Sequence, residues 1–235
     1  MPRGLVGVVS GLLMLCAPLA QVGTATPSAE PSALARFLAL DDPNPTQFRA
    51  LRHLEASNSR FEKSARMDVW TEGDASGLRY TIVAEEGSEY IRTRVFRASL
   101  EAERAMWASG APDRAALTRA NYLFEELGVQ PDGLTSLGVK PLRRDLLLVD
   151  GVLYLDPADG DLVRMEGRLS KTPSFWTRQV KIVRWFKRFA GVRMPVALES
   201  VALVRIAGSS TFRMTYEYES VNNQRIGSPR VVVGQ

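Results

Sequence analysis

A hydroxyl nucleophile needs a base to take its proton and a carboxylate to orient that base, and the chain offers one histidine for the task, His53. His53 stands between Arg52 and Leu54 in a stretch that reads as helix, with no other titrating group at catalytic spacing. It therefore reads as a helix-surface side chain rather than a general base. Gly73-Asp74-Ala75-Ser76-Gly77 has the outline of a nucleophile elbow but puts Ala where the serine must stand, and reads as a turn. Glu85-Glu86 and Glu125-Glu126 are adjacent pairs whose side chains diverge, unlike the facing carboxylates of glycoside hydrolysis. Asp156, Asp159 and Asp161 around Gly160 lack the alternating oxygens and closing glutamate of a calcium loop and fit a hairpin. No glycine loop suited to phosphate is present. The chain is expected to have no catalytic residue, no metal and no cofactor, and not to be an enzyme.

What the chain carries in quantity is methionine and aromatic side chains at alternating positions. Met67, Val69, Tyr80, Ile82, Met165, Leu169, Phe212, Met214 and Tyr216 fall on the apolar sides of their segments. Such side chains suit an adaptable apolar surface. The same positions could simply fill a core, but few short helices are predicted to cover them, and the shortfall points to an apolar cavity. Trp176, in Pro173-Ser174-Phe175-Trp176, could rim its mouth. Arg178, Lys181, Arg184, Trp185, Phe186, Lys187 and Arg188 form a basic-aromatic stretch. It reads either as a strand with wet cations and with Val180, Ile182 and Phe186 turned inward, or as a peripheral contact for an anionic membrane.

These side chains need a frame. Hydrophobic residues make up 45% and charged residues 24% of 235, the balance of a folded domain. The formal charge of +4 is too mild to imply nucleic acid. Residues 1–25 read as a cleaved secretory signal: Arg3, an apolar run from Leu5 to Ala20, then Gly23-Thr24-Ala25. That run is shorter than the ~20 residues of a spanning helix. It also holds the chain's one cysteine, Cys16, so cleavage leaves no thiol for a disulfide or a metal. Residues 26–44 read as a linker and a short helix, and 45–235 as one domain.

Within that domain Phe48, Leu51 and Leu54 recur at one helix face behind Thr46, which predicts a helix over 46–56. Phe61 to Val69 and Leu78 to Ala84 alternate with polar residues and read as neighbouring antiparallel strands. Tyr90 to Phe96 reads as a third. A helical insertion is predicted over 98–128, with Ser99 to Trp107 in one helix. A second runs over 112–127, its stripe Leu117, Ala120, Phe124 and Leu127 lying between Pro112 and Gly128. Strands resume after Pro141 and include 178–189, 194–206 and 211–221, for about seven or eight in all. The fold class is α+β: a curved antiparallel sheet, an unclosed half-barrel, with helices over its concave apolar face.

This order of elements, from the signal peptide through the Asp156-Pro157-Ala158-Asp159-Gly160-Asp161-Leu162-Val163 hairpin, resembles the LolA-like and LolB-like lipoprotein-carrier superfamily, which includes RseB-type sensors. The resemblance covers roughly residues 45–222. It implies an unclosed barrel whose lidded concave face holds acyl chains, a periplasmic location, and a lipid or the acyl chain of a lipoprotein as guest. The alternative it leaves open is a sensor or assembly factor that binds another envelope protein through the sheet. The long insertion and the segment Gly208 to Tyr216 depart from the lipoprotein carriers.

Overall fold

The computed structural model describes residues 31–109, 112–172, 177–205 and 208–229. The expected signal peptide, Cys16 and Trp176 lie outside these. The strands β1 (Phe48–Asn58), β2 (Lys63–Asp74), β3 (Gly77–Gly87), β4 (Tyr122–Val129), β5 (Thr135–Pro141), β6 (Val149–Leu155), β7 (Leu162–Leu169), β8 (Thr177–Phe189), β9 (Val192–Val204), β10 (Gly208–Val221) and β11 (Gln224–Arg225) make one sheet. Its order is β3-β2-β1-β10-β9-β8-β7-β6-β5-β4, with β11 on β10. Every pairing is antiparallel, and β3 and β4 stay apart as free ends, so the sheet is an unclosed, curved half-barrel. Two meanders, β1–β3 and β4–β10, are sewn together by the β1–β10 ladder.

Alternation was a sound guide to the strands that keep one face wet. β10 buries Met214 and Tyr218 and leaves Arg213 and Glu217 exposed, as its pattern predicts. The Asp156–Asp161 turn is a hairpin: Asp156 Oδ1 accepts from the Ala158 amide at 2.8 Å, and Gly160 takes φ 77°, a conformation open to glycine at no steric cost.

Four sequence-based expectations give way. Residues 46–56 are not helix but strand β1, the central strand between β2 and β10, with Ala50, Leu51, Arg52 and Leu54 all buried. Burial on both faces erases alternation and leaves a spacing that imitates a helix. Thr46 caps no helix; its amide and hydroxyl both donate to Asn222 Oδ1.

Residues 90–96 are not a strand. They belong to a helical segment made of α2 (Glu89–Ile91), a π-helical stretch (Arg92–Arg97) and α3 (Ala98–Ala108). Its buried residues are Ile91, Phe96 and Leu100. A five-residue step such as Ile91 to Phe96 stays on one face only where the turn is widened to i→i+5.

The predicted helix over 112–127 begins as expected at Pro112 but stops after one turn, α4 (Pro112–Ala115), and the remainder becomes edge strand β4. The insertion is therefore helical over 89–108 rather than 98–128. The strands number eleven among the described residues, more than the seven or eight expected: β1 and β4 were hidden in predicted helices, and β5 and the two-residue β11 were not anticipated. No helix among the described residues is long and apolar enough to cross a membrane.

The helices do cover the concave face, in two separate places. α1 (Ala33–Ala39) is capped by Ser32, whose Oγ accepts from the Ala35 amide at 3.2 Å. It lies against β4 and drives Phe37 into a core with Leu137, Leu153, Leu155 and Leu162. The 89–108 segment lies against β2 and β3 and closes a second core around Phe96, Leu100, Met67, Val69 and Met214. Full burial of Phe96 alone is worth about 2–3 kcal/mol. A third cluster joins Phe48, Leu78, Val192, Met194 and Tyr218 under Trp107.

Candidate functional site

Between the two covers the inner faces of β8 and β9 are left as a floor. Leu198, on β9, packs against both cores, and on its two sides the floor opens into grooves. One groove, of about 640 Å³, lies between the tip of the β1–β2 hairpin and the start of the helical segment. Ala202, Val204 and Phe212 line it from the sheet, Ile91 and Val95 from the helix, and Phe61 and Tyr90 from its rim. Phe61 and Tyr90 are 54% and 67% exposed, so two large rings stay in water where the groove stands open. The other groove, of about 580 Å³, runs beneath α1 and the 115–118 turn. Met165, Phe186, Pro195 and Arg184 belong to its sheet side, Phe37 and Met106 to its cover.

The residues expected to line a cavity divide among these places. Met67, Val69 and Met214 are buried in the core beneath the helical segment, and Tyr80, Ile82, Phe212 and Tyr216 pack partly buried against it. Of that set Phe212 also reaches the first groove. Met165 sits in the other core and lines the second groove, and Leu169 packs nearby. Alternation put all these side chains on the inner face; it could not tell which of them the helices would cover. The expected lids over 46–56 and 112–127 are replaced by α1 and the 89–108 segment.

The second cover is held to the sheet by polar contacts. Arg52, on β1, is buried and makes a bidentate pair with Glu103 of α3, Nη1–Oε2 at 2.5 Å and Nη2–Oε1 at 2.9 Å. Burial alone would depress the guanidinium; the Glu103 charge more than offsets it and holds Arg52 well above its ordinary value. Its Cζ lies 4.8 Å from the ring centroid of Tyr216. The Tyr80 hydroxyl donates to Glu101 Oε1 at 2.5 Å, a bond that raises the phenol's pKa, with burial adding to it. Glu85 of β3 accepts from Arg92 and Arg97 at 2.8 and 2.7 Å.

His53 sits on a strand, not a helix, and on the outer face. Its Nδ1 is 2.8 Å from Asp68 Oδ1 and its Nε2 is 3.4 Å from Glu217 Oε1. These partners come from β2 and β10, the register neighbours of β1, and local spacing could not reveal them. Among the described residues no Ser or Thr hydroxyl bonds to His53, so the ring has carboxylates on both sides and no nucleophile to activate. Among the described residues, too, no three His, Cys, Asp or Glu side chains gather where they could hold a metal ion.

One residue of the floor was visible in the sequence only as part of the basic-aromatic stretch. Val180 and Ile182 turn inward as expected, and Arg184 follows them at the next alternate position. It opens onto the groove beneath α1, between its register partners Met165 and Leu198. The signal was the parity of the strand, which places a cation among the inward residues.

The geometry defines a lidded half-barrel with an apolar, incompletely covered concave face. No protein-family model matches the chain, and no curated protein matches its sequence. Among solved structures it is similar to a LolA superfamily protein from Nitrosomonas europaea, at 10% identity over 79% of this chain and 90% of that one, with a TM-score of 0.37. It is also similar to a DUF1329 family protein from Desulfovibrio piger, at 8% identity over 74% and 85%, TM-score 0.38. A third is the MucA/MucB complex of Pseudomonas aeruginosa, at 12% identity over 79% and 92%, TM-score 0.23.

Proposed function

We propose that this chain is a periplasmic binding protein for a hydrophobic guest, a carrier or chaperone for lipid or lipidated protein in the cell envelope. The observation that carries the reading is the groove between the β1–β2 hairpin and the helical segment, whose size lies within the range of about 300–1,000 Å³ typical of ligand sites. Its lining is largely apolar, and the rings of Phe61 and Tyr90 stand exposed at its rim. Exposed apolar surface of this kind marks a place where something binds. An acyl chain gains about 0.8 kcal/mol for each methylene it buries, so eight would gain roughly 6 kcal/mol before ordering costs. No directed polar contact is needed for that. The tripartite start of the chain supports export.

The test is uptake of the neutral apolar dye N-phenyl-1-naphthylamine, with Ala202→Asp as the variant. Ala202 lines the floor and packs, partly buried, against the core beneath α1, so urea unfolding of the variant is measured beside uptake to check that the domain keeps its fold. The wild-type protein brightens the dye, and the variant weakens uptake about tenfold or more, since it places a charge in an apolar site. A wild-type protein that takes up no dye overturns the reading.

A second reading, capture of another envelope protein through the sheet, has its own observation. β4 is a terminal strand whose Leu123, Leu127 and Val129 are exposed, and an open strand edge is a template for an added strand. Cross-linking from Leu127→Cys to an envelope protein, with no dye uptake, would favour it.

A further inference from the structure

We propose that the guest is an acidic amphiphile, an alkyl chain ending in a carboxylate or phosphate, and that Arg184 is the counter-charge for its head. This deepens the hydrophobic-guest reading and rests on it.

Arg184 is an exposed cation in a groove where Leu38, Phe186 and Met165 stand beside Asp42, Asn44 and Arg193, and it is flanked in register by Met165 on β7 and Leu198 on β9. Among the described residues its guanidinium has no hydrogen bond and no ion pair. The acids around it are taken. Asp42, which lines the same groove, is 2.7 Å from Arg193 Nη1. Asp161 accepts from Arg188 and Arg193 at 2.8 and 2.9 Å, and Glu103 is held by Arg52. Arg193, the other arginine in the lining of the groove, has its carboxylates, and Arg184 does not.

Its field reaches inward. At Tyr122, which is buried, and Tyr216, which is partly buried, burial raises the phenol's pKa; the Arg184 charge opposes the rise, after the Val149 hydrogen bond at Tyr122 and after Arg52 at Tyr216. A guanidinium without a carboxylate of its own can meet a carboxylate or phosphate with two parallel hydrogen bonds. The apolar side chains around it accept the alkyl chain that follows. Leu198 packs against both cores between this groove and the one rimmed by Phe61 and Tyr90, and an alkyl chain anchored at Arg184 lies against Met165, Phe186 and Leu38 of its own groove.

Isothermal titration of the purified protein with four ligands of one chain length tests the assignment: dodecanoate, dodecyl phosphate, dodecanol and dodecyltrimethylammonium. Wild-type protein binds at least one of the two anions about tenfold more tightly than dodecanol, the worth of one charge-assisted contact, and binds the cation no better than the alcohol. Which anion is preferred tells a carboxylate head from a phosphate head. Arg184→Gln abolishes the gap between anion and alcohol while leaving dodecanol affinity unchanged. Lys181→Gln, which removes the same charge from an exposed position, leaves the gap intact. A gap that survives Arg184→Gln, that closes equally in Lys181→Gln, or that is absent from the wild type overturns the role of Arg184 while the apolar-guest reading stands. If none of the four ligands binds, both fall.

Discussion

Arg52 on the central strand and Glu103 on α3 face each other as a fork on a fork, with guanidinium and carboxylate joined by two hydrogen bonds of 2.5 and 2.9 Å. Arg52 has only 2% of its side chain exposed and Glu103 has 27%. The cover therefore sits on a charge that cannot return to water without moving the helix.

Glu103→Gln is expected to destabilise the protein by about 2 kcal/mol, below the 3–5 kcal/mol of a fully buried pair because Glu103 keeps some contact with solvent. The Arg52→Met, Glu103→Met double variant should recover much of that loss, since no buried charge is left unpartnered. Urea unfolding of the three proteins measures both effects. Equal loss in single and double variants would mean that the pair's charges are not what is being removed.

Asp161 ties the β6–β7 hairpin to β8 and β9 through Arg188 and Arg193. Burial would raise its carboxyl, but the two arginines outweigh burial and hold it below its ordinary value. A carboxyl lowered in the folded state contributes stability above its unfolded pKa of about 3.9, and that contribution is lost as pH falls through the lowered folded value. Asp161→Asn should cost about 2 kcal/mol at pH 7 and progressively less below pH ~4. The measurement is thermal unfolding of both proteins across that range; a difference independent of pH would contradict the assignment.

Gly151 on β6 and Gly167 on β7 are register partners. A Cβ on Gly151 would lie 1.9 Å from the Glu166 carbonyl oxygen, and one on Gly167 would lie 2.5 Å from that of Asp150. Both obstacles are backbone and cannot swing aside. Gly151→Ala is expected to cost about 2 kcal/mol or more, whereas Gly138→Ala, whose nearest atoms stand at 3.6 Å, should cost far less. Chemical denaturation of the two variants gives the comparison.

How much of this was legible in the residues differed from element to element. β2, β3 and β10 alternate because one face meets the core and the other meets water, and there the sequence is read directly. β1 has Leu51 buried on the side opposite Leu54, and β4 leaves Leu123 and Leu127 exposed; neither strand keeps the contrast on which a period depends. The inward set Met67, Val69, Tyr80, Ile82, Phe212, Met214 and Tyr216 was recoverable, since parity fixes a face. Whether a side chain on that face ends in a packed core, as Met214 does, or in a groove, as Phe212 does, depends on where a helix from elsewhere in the chain comes to rest. The carboxylates beside His53 were hidden because Asp68 and Glu217 reach it through the pairing of β1 with β2 and β10.

The ladder between β1 and β10 joins residues as far apart as Phe48 and Val221, 173 positions along the chain. The first meander can form its hairpins locally, but one long side of β1 has no partner until the last long strand arrives. Until then the inner face of β1 to β3 is an open edge beside an apolar surface, the condition in which chains associate wrongly. Pairing this distant is reached only after a large loss of chain entropy, so refolding should be slow for a domain of this size. Loss of residues from β10 would open the sheet at its middle, not fray it at an end.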